Sequence, residues 1–164
     1  MRSRTNLTEY CDHSQNVIDS GKDWTQNFEA VPVPFALTSK QLGEGHPRDV
    51  DKDNLGGEVH QGFLDELAAV QDQVVAELLK RGDRSLPVYV TGHSQGGAEA
   101  ALATRALLAG GFNVVSTYTF AAPRPGNLEF TKSIPADVPV HRIECGDDIV
   151  PHLPPTLIER KHDK

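Results

Sequence analysis

Ser94 stands in Gly92-His93-Ser94-Gln95-Gly96, where the apolar run Pro87-Val-Tyr-Val-Thr91 gives way to the alanine-rich run Ala98 to Ala109. A serine so placed could attack a carbonyl carbon. Its hydroxyl is a weak nucleophile until a base removes the proton, so it must project from a sharp turn that a histidine can reach. The pattern G-x-S-x-G between a strand and a helix meets that need, because it throws the serine out at the edge of a sheet. Glycines at 92 and 96 are expected to remove Cβ atoms that would clash in so tight a turn. Gly97 and Ala98 are expected to let the following helix pack close. The backbone N–H of Gln95 would then lie at a helix N-terminus, facing the oxyanion that forms on attack. The plainer alternative is a tight strand-to-helix turn with a structural serine. His93 is a poor base for Ser94, since adjacent residues on such a turn point in different directions; it is expected to be a packing residue.

These residues need elements to hold them. Between Gln61 and Arg81, Phe63, Leu67, Val70, Val74 and Leu78 recur at helical spacing, with Leu64, Val75 and Leu79 widening the stripe. The spacing predicts an amphipathic helix stopped by Gly82. Pro87 to Thr91, Val114 to Phe120 and Val140 to Glu144 read as strands, and Ala98 to Ala109 as a helix closed by Gly110-Gly111. AAPRPGNLEF and TKSIPADVP read as a turn-rich and a variable connection. Helix, strand, helix, strand, strand suggests an α/β layer architecture. Residues 19 to 58 carry Pro32, Pro34, Pro47 and several glycines without a sustained period, as expected of a functional loop or a partly disordered one.

Composition sets outer bounds. With 164 residues one domain over 1–164 is expected. Sixteen Lys and Arg against 23 Asp and Glu, with no basic block, argue against a nucleic-acid partner. Cys11 and Cys145 have no metal-ligand spacing, and one pair is not a disulfide framework, so both are expected to be structural or incidental. No apolar run approaches the roughly 20 residues that span a bilayer, and the N-terminus lacks the apolar core of a signal peptide. A leader upstream of residue 1 would leave the compartment open, secretion included.

Four blocks together, VHQGF (Val59 to Phe63), VYVTGHSQGGAEAALA (Val88 to Ala103), TYTFAAPRPGN (Thr117 to Asn127) and HRIECGDDIVPHLPP (His141 to Pro155), resemble the fungal-type, or class 3, triacylglycerol lipases. The resemblance implies an α/β-hydrolase fold, a mostly parallel sheet flanked by helices, here incomplete. It implies hydrolysis of acylglycerols or related lipid esters through an acyl-enzyme, contact with a lipid interface, and no metal or organic cofactor. It assigns the nucleophile to Ser94 and the acid that orients the base to Asp148. Asp147 becomes a solvated neighbour, while His60, His152, Pro123 and Pro125 become structural. Gln95 replaces the leucine usual after the serine, but only its backbone donor is required.

Two departures stand out. The family's second oxyanion donor closes a strand before the lid, and here only Thr5, in Arg2-Ser3-Arg4-Thr5, stands in its place. Asp23-Trp24-Thr25-Gln26-Asn27 matches a family segment well, and residues 6–58 correspond to the lid and the irregular segment, with a rather polar lid sequence. The family's catalytic histidine lies far beyond the acid, whereas the sequence ends at Lys164. His162 is the candidate base within it, and otherwise the triad histidine is absent and the chain is expected to be truncated at both ends. The competing reading is a noncatalytic remnant or binding module with the elbow but no working triad.

Overall fold

The computed structural model describes residues 31–43 and 54–154. Thr5, Asp23 to Asn27, His162 and most of the 6–58 segment lie outside them. A parallel three-stranded sheet is built from β3 (Val88–His93), β4 (Val114–Phe120) and β5 (Val140–Ile143), in that order. Parallel neighbours need a crossover. The helix Gln95–Ala109 supplies the one from β3 to β4, and the short helix Leu128–Ser133 lies in the connection from β4 to β5. Two short strands, β1 (Pro32–Pro34) and β2 (Glu58–His60), form a separate antiparallel pair. In chain order the helices are α1 (Ser39–Leu42), α2 (Gln61–Arg81), α3 (Gln95–Ala109) and α4 (Leu128–Ser133).

The long helix α2 has the expected bounds, with Gly82 at its C-cap. Its buried row differs by a small rotation. Phe63, Leu67, Gln71 and Val75 are buried, whereas Val70, Val74 and Leu79 are exposed. The row has strict i, i+4 spacing, the ridge by which two helices interlock, and α2 packs along α3 with it. A hydrophobicity count weights Val70 and Val74 like Val75 and cannot see which ridge meets the partner. Gln71 is fully buried, and its carboxamide has no hydrogen-bond partner among the described residues.

α3 is almost entirely small or aliphatic, and Ala98, Ala101, Leu102, Ala106 and Ala109 join Phe63, Leu67, Phe35 and Phe130 in the main core cluster. At its interface with the sheet the hydroxyls of Thr104 and Thr117 pair at 2.6 Å, and Thr104 Oγ1 also bonds the Ala100 carbonyl at 2.8 Å. Both buried hydroxyls are thereby satisfied. The opposite sheet face carries exposed Tyr89, Tyr118 and Phe120, with Tyr118 stacked on His141.

Four short elements, β1, β2, α1 and α4, were not expected from sequence. β1 and β2 are three residues each, too short to show a period. α4 lies in what reads as turn-rich sequence, with Phe130 buried in the core and a capping side chain at its start. Asn127 Oδ1 accepts from Phe130 N at 2.9 Å, as an N-cap does, and also from Glu58 N at 3.2 Å, tying β2 to the start of α4. Asn127→Ala is expected to cost about 1–2 kcal/mol in urea unfolding, and Asn127→Asp, which keeps the acceptor, to recover most of it. Equal stability of the alanine variant and the parent would count against the cap.

Candidate active site

The site grows from the end of β3. α3 begins directly at Gln95, three residues earlier than helix propensity alone suggests, because Ser94 makes the whole turn by itself. Its backbone has φ 54° and ψ −128°, a region that residues with a side chain enter only under constraint. Two kinds of constraint are visible. Ser94 N–H continues the sheet ladder by donating to the Phe120 carbonyl at 2.8 Å, and the Ser94 carbonyl accepts from Gly97 at 2.9 Å and Ala98 at 3.4 Å. Close packing supplies the rest. A Cβ on Gly92 would lie 2.0 Å from the Gly96 carbonyl oxygen, and one on Gly97 would lie 2.6 Å from Ala122 Cβ.

Gly96 overturns the expectation made for it. A Cβ there would meet nothing within 4 Å, so no clash within the described chain demands glycine at 96. The turn is tight on the side of Gly92 and Gly97 and open on the side of Gly96.

The backbone N–H groups of Gln95 and Gly96 have no acceptor among the described residues, as befits the first turn of a helix. The Gln95 donor thus stands free beside Ser94. Its side chain is engaged instead: Nε2 donates to Glu99 Oε1 at 3.1 Å and to Glu66 Oε2 on α2. Burial, and then the neighbouring Glu66, push the Glu99 carboxyl above its ordinary value, while the hydrogen bond donated by Gln95 pulls it down.

Asp148 lies beyond β5, the second strand over from β3 and parallel to the same direction. Ser94 and Asp148 therefore both follow the carboxyl ends of parallel strands, where open α/β sheets carry their sites. Asp148 is half-buried; its N–H donates to the Cys145 carbonyl at 3.2 Å, and Oδ1 accepts from Val150 N at 3.0 Å. Asp147 is exposed. Cys145 is disulfide-bonded, so of the two expected roles, structural or incidental, it has the structural one.

Two arginines that sequence reasoning passed over brace this loop. Arg124 Nη1 donates to the carbonyls of His152 at 2.9 Å and Pro154 at 3.0 Å. Arg142 bonds the carbonyls of Pro123 and Pro151 and pairs with Glu144 at 2.5 Å. They lock the single turn Val150–His152, which follows Asp148, onto the APRPG segment. Their positions inside TYTFAAPRPGN and HRIECGDDIVPHLPP were the available signal.

None of His60, His93, His141 and His152 is hydrogen-bonded to Ser94 Oγ. His93 is exposed at the end of β3, and His152 closes the turn after Asp148. His60 caps β2, its N–H bonded to the Pro125 carbonyl at 3.0 Å and its ring edge-on to Phe63. Its Nδ1 is buried without a partner among the described residues, and burial lowers its pKa. A depressed histidine pKa means that the unfolded chain takes up the proton first. Stability is full above the ordinary histidine value and falls as pH drops through it. Between about pH 7.5 and 5, His60→Phe is expected to flatten the decline of the urea midpoint. An unchanged slope would sink this assignment.

Among the described residues no group of three or more His, Cys, Asp or Glu could hold a metal ion, and no helix is long and apolar enough to cross a membrane.

A parallel sheet flanked by helices, with a strained serine between strand and helix and an acid beyond a neighbouring strand, is the arrangement of an α/β-hydrolase. The family described as Lipase (class 3) matches residues 15–158. A lipase of Rhizomucor miehei is 39% identical over 148 residues, covering 86% of this chain and 36% of the relative. A secreted mono- and diacylglycerol lipase of Fusarium solani is 36% identical over 107 residues, covering 63% of the chain and 32% of the relative. Among solved structures, the Rhizomucor miehei lipase in complex with its propeptide superposes with a TM-score of 0.60 at 33% identity, over 84% of this chain and 41% of that one. A triacylglycerol lipase described as having a serine protease triad at its catalytic centre gives 0.61 at 34%, over 82% and 47%. The chain belongs to the class 3 lipase family, whose named members are serine ester hydrolases. It spans about a third of the length of these two relatives.

Proposed function

We propose that this chain carries the nucleophile and acid of a lipase-type carboxylic-ester hydrolase acting on acylglycerols or related lipid esters. The observation that carries the reading is the strained Ser94 elbow beside the free Gln95 N–H, with Asp148 beyond the second strand over. The substrate class follows from the lipases it resembles.

Ser94 Oγ attacks the ester carbonyl carbon while a histidine takes its proton. The carbonyl oxygen becomes an oxyanion that accepts from Gln95 N–H, and Thr5 is the candidate for a second donor. Collapse of this intermediate breaks the C–O bond, and the departing alkoxide takes the proton from the histidine. Water, deprotonated by the same histidine, then attacks the acyl-enzyme and releases the carboxylic acid and Ser94. Asp148 orients the histidine and stabilises its charged form. Within this sequence His162 is the candidate for that base.

The test is labelling of the 164-residue chain by a fluorophosphonate, read by intact mass, beside hydrolysis of a short and a long p-nitrophenyl ester. Rapid labelling at Ser94 with turnover supports the hydrolase. Labelling no faster than that of free serine, with background turnover, would favour the noncatalytic binding module.

A further inference from the structure

The position after the nucleophile offers more than a backbone donor. Gln95 is the first residue of α3, and its carboxamide reaches two carboxyl groups, Glu66 on α2 and Glu99 one turn further along α3. A helix begins with N–H groups that no intrahelical partner holds, and its first turn frays unless side chains fasten it. Here no N-cap side chain does so, since Ser94 makes no capping hydrogen bond. The Gln95 bridge to α2 is therefore the fastening for the turn that presents the candidate oxyanion donor.

We propose that Gln95 is a positioning residue: its side chain, clamped between Glu66 and Glu99, holds the first turn of α3 against α2, and with it the aim of the Gln95 backbone N–H. The clamp rests on reading Ser94 as the nucleophile only for its catalytic consequence; the mechanical part stands by itself. The substitution Gln95→Leu would keep the backbone donor and lose the fastening.

The two parts can be tested separately. Gly97 N–H and Ala98 N–H bond to the Ser94 carbonyl, so their hydrogen exchange reports on the turn itself. Exchange is measured in the parent chain and in Gln95→Leu, Glu66→Ala, Glu66→Gln and the double variant Gln95→Leu with Glu66→Ala. Each of the first two is expected to speed exchange at Gly97 and Ala98 about three- to tenfold, with Leu102 to Leu107 unchanged. The double variant is expected to be no faster than either single one, because both remove the same bridge. Glu66→Gln is expected to restore protection, since its amide oxygen still accepts from Gln95. Glu66 is exposed, so its substitution leaves the fold intact even if the Gln95→Leu change does not.

Unchanged exchange at Gly97 and Ala98 in Glu66→Ala, or multiplying effects in the double variant, would overturn the clamp. Fluorophosphonate labelling supplies the catalytic readout. A labelling rate that falls in step with the loss of protection, and recovers in Glu66→Gln, supports the positioning role. Loss of protection with an unchanged labelling rate overturns that role and leaves only a structural bridge. A parent chain that does not label sinks the hydrolase reading, while the exchange data still decide the clamp.

Discussion

Ser94→Gly is expected to abolish fluorophosphonate labelling and ester turnover and, at the same time, to leave the chain about 1 kcal/mol more stable than Ser94→Ala. Both variants remove Oγ, so both lose the proposed nucleophile. They differ in backbone. Alanine must still adopt φ 54° and ψ −128°, whereas glycine enters that region without a steric penalty. Strain at such a position costs about 1–3 kcal/mol, and the larger entropy of unfolded glycine returns part of what its relief gains. Urea unfolding of the two variants measures the difference. If alanine and glycine are equally stable, the turn is not strained, and the elbow loses its mechanical basis. In the active enzyme the fall in turnover should be large, because the members of a serine triad act as a unit.

Gly92→Ala is expected to be severely damaging, costing about 3 kcal/mol or more and eliminating labelling at Ser94. The added Cβ would lie 2.0 Å from the Gly96 carbonyl oxygen, 2.4 Å from its carbon and 2.8 Å from Gly97 N. All three are backbone atoms of the turn, so no rotamer change can relieve the contact. The end of β3 must part from the start of α3, and Ser94 loses its aim. Gly96→Ala is the matched control. Its Cβ meets nothing within 4 Å, so stability should change by no more than about 1 kcal/mol. Any loss of turnover in that variant would then report on the open side of Ser94. Thermal unfolding of both variants decides the matter, and equal losses would refute the asymmetry of the turn.

That asymmetry shows where sequence reading stops. G-x-S-x-G presents two glycines as equivalents, and the reason for each depends on what lies opposite its α-hydrogen. Opposite Gly92 lies the carbonyl of Gly96 itself, and opposite Gly96 lies open space. The same limit applies to α2. Its existence and ends were legible because 21 residues repeat a period and close on glycine. Its buried ridge was not, because Gln71 fills a position that hydrophobicity assigns to a valine. α4 escaped notice because its N-cap Asn127 is shared with β2 and its Phe130 is buried in the core, the first a contact that joins residues 69 positions apart.

What the sequence determined by itself was everything set by local period and local chemistry. That includes the strand-turn-helix around Ser94, the strands at Val114 and Val140, the acid after β5 and, through four motif blocks, the family. Tertiary structure decided what depends on partners distant in the chain. It selected Gln95 as a side chain bridging two helices, Arg124 and Arg142 as braces for the Asp148 loop, and Cys145 as a disulfide partner. The division is physical. A hydrogen-bond ladder and a helical repeat are written in neighbouring residues, whereas a clamp, a brace or a clash exists only once the chain has brought two remote segments within a few ångströms.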